Sequence, residues 1–153
     1  MEQKLDLTIT RVLDAPKAAV WKAWTTPELL MKWFSPEPVK TTECEIDFRT
    51  GGIFKTVFQL QNGVEFTNIG IFLEVVEGEK LVFTDGYTPG YAPAKEPFMT
   101  AIISMSESNG KTNYSAVVRH KSEEDRLKHE QMGFYEGWGA TITQLESLAK
   151  TLV

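Results

Sequence analysis

The amino-acid sequence predicts an α+β domain in which one antiparallel sheet is covered by a long C-terminal helix. Three observations lead to this fold class. Alternating apolar and polar residues fill the middle of the chain, two proline-initiated helical segments interrupt them early, and an amphipathic helical pattern begins at Ser122. No internal repeat, low-complexity run or linker separates these parts, so we expect a single domain over residues 1–153.

The first predicted elements are a strand and two short helices. Apolar and polar residues alternate over residues 5–13, which is the pattern of a half-buried strand. Pro16 suits the first turn of a helix. Thr26 and Pro27 repeat that signal as an N-cap followed by a proline at the first helical position. The two helices should therefore lie between the first strand and Pro36.

Six further strands are predicted between the short helices and Ser122. Glycine-containing turns separate them, and the pairs Asn62-Gly63 and Asn109-Gly110 favour type I′ turns, which join antiparallel neighbours. The predicted strands span residues 39–48, 53–60, 64–76, 80–84, 98–106 and 112–120.

The last predicted element is one long helix. Ser122 with Asp125 resembles a capping box at its start. Gly133, Gly137 and Gly139 interrupt it, and each should cost about 1 kcal/mol relative to alanine. We interpret them as positions where another backbone or a ligand approaches closely. The apolar stripe that must cover the sheet consists of Leu127, Phe134, Trp138, Ile142, Leu145, Ala149 and Leu152, with Tyr135 at its edge.

Composition and charge exclude several functional classes. A net charge of −5 and a pI near 5.1 argue against a nucleic-acid partner, because such proteins usually carry a basic patch. No run approaches the roughly 18 apolar residues of a membrane span, and no secretory leader precedes Leu5, so we expect a cytoplasmic protein without a membrane span. The single cysteine, Cys44, excludes an intramolecular disulfide and fits a strand residue.

The sequence contains no recognisable catalytic set or cofactor motif. His120 and His129 lack a metal-binding spacing and fit solvated or hydrogen-bonded histidines at a strand end and on a helix. Gly51-Gly52 lacks the pattern of a phosphate-binding loop and fits a hairpin turn. No Gly-x-Ser-x-Gly elbow is present. We therefore expect no metal and no cofactor.

The candidate binding surface is the inner face of the sheet. Lys55 and Gln59 mark the outer face of the third strand, so the alternation turns its aromatic residues inward. Gly70 gives space or a bulge in the next strand, and Glu74 breaks the alternation there. These residues either line a cavity or fill a packed core. The candidate ligand-binding residues are Trp33, Phe54, Thr56, Phe58, Phe66, Asn68, Phe72, Phe83, Tyr87, Tyr114, Ala116, Val118, Met132, Tyr135 and Trp138.

Charged residues in or beside the strands leave two interpretations open. They form an outward solvated face, or an arginine and a carboxylate enter the cavity as a pair, since an isolated buried charge is too costly. Such a pair would orient a polar head group or supply an acid and a base. The residues concerned are Arg11, Arg49, Glu65, Asp85 and Arg119.

Residues 86–97 form an unusually long loop that contains Tyr87 and Tyr91. Its composition fits either a rim or lid over a pocket or a stiff surface connection. Trp33, near the end of the second short helix, is likewise either a packing residue or part of a cavity mouth.

The order of elements resembles a known family, and residues spread over nearly the whole chain carry the resemblance. They are Arg11, Ala15-Pro16, Val20-Trp21, Ala23-Trp24-Thr25, Pro27-Glu28, Trp33, Asp47, Arg49, Gly51-Gly52, Gly70, Thr84, Gly137-Trp138 and Leu145. The chain is similar to the branch of the START and birch-pollen-allergen-like (SRPBCC) superfamily that is named for activators of the heat-shock protein 90 ATPase.

This resemblance implies a helix-grip fold, in which a curved antiparallel sheet of about seven strands wraps around the long C-terminal helix. It also implies a hydrophobic cavity between sheet and helix. Three functions follow as hypotheses: a container for an apolar or amphipathic small-molecule ligand, an interaction module for a chaperone partner, and a cyclase- or hydratase-type enzyme acting on an aromatic or polyketide-like compound.

Overall fold

Seven antiparallel strands and a C-terminal helix dominate the structure, a computed structural model that describes residues 4–153. The predicted domain begins at Met1, so its first three residues lie outside the described residues. The elements are β1 (Asp6–Leu13), α1 (Lys17–Thr25), α2 (Pro27–Leu30), β2 (Lys40–Ile46), β3 (Ile53–Gln59), β4 (Glu65–Val76), β5 (Lys80–Thr84), β6 (Tyr87–Thr88), β7 (Ala92–Pro93), β8 (Met99–Ser108), β9 (Lys111–His120), α3 (Glu123–Gln131) and α4 (Phe134–Lys150).

The seven-stranded sheet has the order β1-β9-β8-β5-β4-β3-β2, and all its neighbours are antiparallel. The predicted α+β class with a helix-grip architecture is therefore confirmed. Two pairings join strands that are not consecutive in the described chain: β5 pairs with β8, and β1 crosses to the edge opposite β2 and pairs with β9. Residues 86–97 contain a small two-stranded hairpin, β6-β7, beside the main sheet.

Two irregularities in β4 explain where the strand alternation changes. A register shift lies between Phe72 and Glu74, which is the point at which the sequence alternation breaks. A Cβ atom at Gly70 would collide with the carbonyl oxygen of Thr84 on β5. Gly70 thus permits a close backbone approach.

The two Asn-Gly hairpins differ in turn type. Asn109 and Gly110 both have positive φ, 54° and 75°, as the predicted type I′ turn requires. At the other hairpin Gly63 has a φ of 87°, whereas Asn62 is absent from the positive-φ residues of the described chain, so the type I′ prediction is wrong there. The Asn62 side chain instead accepts the N–H of Val64 at 3.0 Å, which stabilises a different turn.

The helix predicted from Ser122 is divided into α3 and α4. Ser122 caps α3, and its Oγ accepts the N–H of Asp125 at 3.1 Å. Gly133 follows with φ 96° and ψ 40°, a left-handed conformation that ends one helix and begins the next. The two helices differ in burial: α3 has no buried side chain, whereas α4 buries Phe134, Ile142 and other residues.

The core is centred on two tryptophans, one on α1 and one in the turn that follows α2. Trp24 and Trp33 lie with ring centroids 4.9 Å apart, and both are almost completely buried. The indole N–H of Trp24 donates to the hydroxyl of Tyr114 at 2.9 Å, and that of Trp33 donates to the carbonyl of Ala23 at 3.0 Å. Both tryptophans therefore pack helix against sheet with their polar atoms satisfied.

The length and hydropathy of the helices bear on membrane insertion. Within residues 4–153, none of them is long and apolar enough to cross a bilayer.

Candidate ligand cavity

Two adjoining cavities lie on the inner face of the sheet. The first, which we call the helix cavity, has a volume of about 470 Å³ and lies between α4, the sheet and the segment after α2. The second, the loop cavity, has a volume of about 400 Å³ and reaches Thr88 and Glu96 of the 86–97 loop. Both volumes fall within the range of small-molecule sites, about 300–1,000 Å³. The two cavities share Phe34, Phe58, Asn68, Phe83, Phe98 and Met99.

Most of the predicted ligand-binding residues line one of these cavities. Those on the helix cavity are Trp33, Phe58, Phe66, Asn68, Phe83, Tyr114, Met132 and Trp138. Phe54 and Thr56 line the loop cavity. The side chains of β3 that the alternation turns inward thus face the two cavities.

The structure places the remaining predicted residues elsewhere. Phe72 is fully buried and stacks on Phe54 at 4.9 Å, and Ala116 and Val118 are also fully buried in the core. Tyr87 and Tyr135 are 43% and 44% exposed. Tyr135 turns outward because it follows Phe134, which is the residue of α4 directed into the core.

Several lining residues were not predicted. Phe34 lies in the wall shared by the two cavities, with its ring 5.4 Å from Phe54 and 6.0 Å from Phe58. The sequence signal that could have identified Phe34 as a lining residue is its position directly after Trp33, which was predicted to line the cavity. Phe98 and His129 also line the helix cavity. The sequence predicted a solvated or hydrogen-bonded histidine on a helix at position 129, and its pattern did not indicate a place on the cavity wall.

The helix cavity has a mouth formed by side chains that also reach solvent. Phe66 on β4 is 53% exposed and Met132, just after α3, is 68% exposed, yet both line the cavity. The opening therefore lies between the tip of the β3-β4 hairpin and the break between the two C-terminal helices.

The glycines of α4 have different surroundings. A Cβ atom at Gly137 would meet no atom within 4 Å, and Gly137 itself lines the helix cavity. A Cβ atom at Gly139 would lie 3.1 Å from the guanidinium of Arg11 and 3.9 Å from Ile9 on β1. Gly137 leaves volume open, whereas Gly139 lets α4 approach the sheet.

Two hydrogen-bonded groups give the helix cavity its polar character. Tyr114 is buried, and this burial raises the pKa of its phenol well above the ordinary value. The hydroxyl accepts the indole N–H of Trp24, and it stays protonated at neutral pH. Asn68 donates from its amide to Thr56 Oγ1 at 3.2 Å, a contact at the boundary of the two cavities.

The two histidines form a direct pair beside the cavity. His120, the last residue of β9, places Nδ1 2.9 Å from the carbonyl oxygen of Leu5 and Nε2 2.9 Å from Nδ1 of His129 on α3. The His129 ring contacts Phe98 and Phe134, with centroids 4.8 and 5.1 Å away. Burial, assisted by repulsion from His120, lowers the pKa of His129 to about 4.

Charged strand residues stay largely outside the cavities. Four of them are exposed: Arg11, Arg49 beside Asp47, Glu65, and Arg119 beside Asp6. The exception is Asp85, which lines the loop cavity and accepts the N–H groups of Phe98 and Met99 at 2.9 and 3.0 Å. Asp85 therefore fixes the start of β8 rather than pairing with an arginine.

The remaining reactive side chains include one cysteine. Cys44 lies in β2, as its alternating surroundings predicted, and burial together with the charge of Glu28 raises the pKa of its thiol to about 11. Within residues 4–153, no group of three or more side chains has the arrangement of a metal site. The cavities thus offer aromatic walls together with the phenol of Tyr114, the imidazole of His129, the amide of Asn68 and the carboxylate of Asp85.

A sheet that encloses a C-terminal helix, with an apolar cavity between them, defines the helix-grip class of α+β proteins. The family model for "Activator of Hsp90 ATPase homolog 1-like protein" matches residues 14–150. This chain belongs to that family.

Solved structures agree with the family assignment over the full length of the domain. Protein NE0264 from Nitrosomonas europaea is 44% identical, with a TM-score of 0.94 over 99% of this chain and 97% of that chain. Protein CV1439 from Chromobacterium violaceum is 28% identical, with a TM-score of 0.76 over 95% and 97% of the two chains. Protein Ms6760 from Mycobacterium smegmatis is 26% identical, with a TM-score of 0.79 over 97% and 95%. No curated protein matches the chain.

Proposed function

We propose that this protein binds an apolar or amphipathic small molecule in the helix cavity. The observation that carries the proposal is the volume of about 470 Å³ beneath α4, which has aromatic walls and a mouth at Phe66 and Met132. Gly137 supports it, because this position leaves open volume where most residues would project a side chain. Sites for small molecules are mostly apolar clefts with a few polar groups that orient the ligand.

The family assignment supports a second candidate, the activation of an Hsp90-type ATPase. This function would use the outer surface of the protein, so it would survive the filling of the cavity. A cyclase- or hydratase-type reaction has less support, because the half-buried carboxylate of Asp85 is already held by two backbone N–H groups.

The container function is tested with N-phenyl-1-naphthylamine, a neutral fluorophore whose emission rises in apolar surroundings. The wild-type protein should bind it with a saturable curve of one site per chain. Gly137→Leu should weaken this binding by roughly tenfold or more, because the new side chain points into the open volume. The measurement is a fluorescence titration on protein shown by circular dichroism to be folded.

The matched control is Thr143→Leu, which places the same side chain on an exposed position of the same helix. It should leave probe binding unchanged. Equal binding by all three proteins would contradict the container function. In that case, capture of an Hsp90 chaperone that persists in Gly137→Leu and weakens with added salt would favour the interaction module.

A further inference from the structure

The histidine pair at the cavity has a defined proton arrangement. A backbone carbonyl can only accept, so His120 must carry its proton on Nδ1 to donate to Leu5. When Nδ1 carries the one proton of the His120 ring, its Nε2 is an acceptor, and the 2.9 Å contact then requires His129 to donate from Nδ1. In a neutral His129 the remaining nitrogen, Nε2, carries a lone pair and no proton.

This remaining nitrogen of His129 is available to a ligand. Among residues 4–153, the hydrogen bonds of the His129 ring involve Nδ1 alone. No buried side-chain nitrogen or oxygen lacks a partner in this part of the chain, so Nε2 keeps accessible surface. His129 lines the helix cavity, and its flanking rings, Phe98 and Phe134, line the same cavity. The series of hydrogen bonds from Leu5 through His120 to His129 therefore ends at Nε2 of His129, which can accept a hydrogen bond from a ligand in the helix cavity.

Tyr114 supplies the complementary group. Its hydroxyl oxygen accepts from Trp24 at 2.9 Å, and within the described residues no acceptor takes its proton. Tyr114 also lines the helix cavity. The same cavity thus presents a hydrogen-bond donor on Tyr114 and an acceptor on His129, both on neutral groups, in addition to the amide of Asn68.

We propose that His129 and Tyr114 form a polar anchor that selects ligands with a neutral hydroxyl head group, such as a phenol or an alcohol; this proposal rests on the container function proposed above. A hydroxyl donates to Nε2 of His129 and accepts from the phenol of Tyr114. A carboxylate can only accept, and it would face the lone pair of His129 while losing its hydration. The low pKa of His129, about 4, agrees with an unprotonated acceptor at neutral pH.

The test compares two ligands of nearly equal shape, 2-naphthol and 2-methylnaphthalene, at neutral pH. Selectivity is the ratio of their dissociation constants, measured by isothermal titration calorimetry. His129→Asn keeps an N–H that can donate to His120 but presents no acceptor at the position of Nε2. It should reduce the selectivity for 2-naphthol about fivefold, the worth of one hydrogen bond between neutral groups. Because the two ligands differ in hydration by the same amount for every protein, this difference cancels when the selectivity of a variant is compared with that of the wild type.

Two further variants separate ligand contact from a structural role. His129→Gln can place an amide oxygen near the position of Nε2 and should recover part of the selectivity. Lys128→Ala changes the exposed neighbour on α3 and should leave the selectivity unchanged. Tyr114→Phe removes the donor and should also lower the selectivity, so the proposal stays testable when His129→Asn does not fold.

The outcomes distinguish this proposal from the container function. Binding of both naphthalenes with a selectivity that neither His129→Asn nor Tyr114→Phe changes would overturn the anchor and leave the container function standing. The same holds if 2-naphthoate binds as tightly as 2-naphthol. Failure of both naphthalenes and of the fluorophore to bind the wild-type protein would overturn the container function and the anchor with it.

Discussion

At the scale of single residues, the half-buried imidazole of His129 makes the stability of this protein depend on pH. Its pKa falls from 6.5 to about 4 on folding, mainly through burial. The unfolded chain therefore takes up this proton more readily than the folded protein does. The contribution of His129 to stability is fully present above about pH 6.5 and is lost as the pH falls toward 4.

We predict that the melting temperature of the wild-type protein falls between about pH 7 and pH 4 more steeply than that of His129→Asn. Differential scanning calorimetry over this range measures both curves. Asp6, whose pKa is lowered by its hydrogen bond from Arg119, affects stability at more acidic pH, near and below its ordinary value of 3.8. Parallel curves for the two proteins would show that His129 titrates normally in the folded state.

At the scale of secondary-structure elements, the break at Gly133 sets the direction of the C-terminal region. The left-handed conformation separates α3, which has no buried side chain, from α4, which carries most of the predicted apolar stripe. Leu127, the first residue of that stripe, lies on α3 and is 44% exposed, so its predicted place against the sheet is wrong. α3 is instead tied down by polar contacts, including the bond from Arg126 to the carbonyl of Lys4 at 2.7 Å. Because of this break, His129 on α3 and Met132 just after it reach the cavity from before Gly133, whereas Trp138 reaches it from α4.

Two glycine-to-alanine substitutions should have opposite effects on stability. Gly133→Ala forces a side chain into a left-handed conformation with φ 96° and should cost about 1–2 kcal/mol. Gly137→Ala, inside α4 and facing open volume, should stabilise by up to about 1 kcal/mol. Urea unfolding of each variant gives the free energies of unfolding. Stabilisation by Gly133→Ala would mean that the two helices form one continuous helix in solution.

The sequence predicted elements well and long-range contacts poorly. Alternation in β3 placed Phe54, Thr56 and Phe58 correctly on the inner face, because side-chain direction in a strand depends on local geometry. The same rule gave no warning that Phe72 would be covered by neighbouring rings. The hydrogen bond between His120 and His129 depends on how α3 packs against β9, and hydrophobic periodicity along the sequence does not predict that packing.

At the scale of the whole molecule, one strand pairing is far less local than the others. β2 through β5 pair in sequence order, and β8 pairs with β9 across a two-residue turn. β1 instead pairs with β9, and Asp6 bonds to Arg119 across a separation of 113 positions. Closing such a long loop costs more entropy than closing a hairpin.

We predict that β1 joins the sheet after the rate-limiting step of folding. Ile9→Val in β1 should therefore speed unfolding and leave the folding rate nearly unchanged. Ile103→Val makes the same change at a buried position of β8 and should slow folding, because β8 belongs to a local hairpin. Stopped-flow folding and unfolding in urea measures both rates. An equal slowing of folding by Ile9→Val would contradict this order.

The long separation between β1 and its partner also matters while the protein is being made. At about 5–20 residues per second, a ribosome adds the 113 positions between Asp6 and Arg119 in roughly 6–23 seconds. Throughout that interval β1 lacks its partner strand β9, although its residues Leu7 and Ile9 are buried in the folded protein. The nascent chain therefore carries β1 unpaired until β9 has been synthesised.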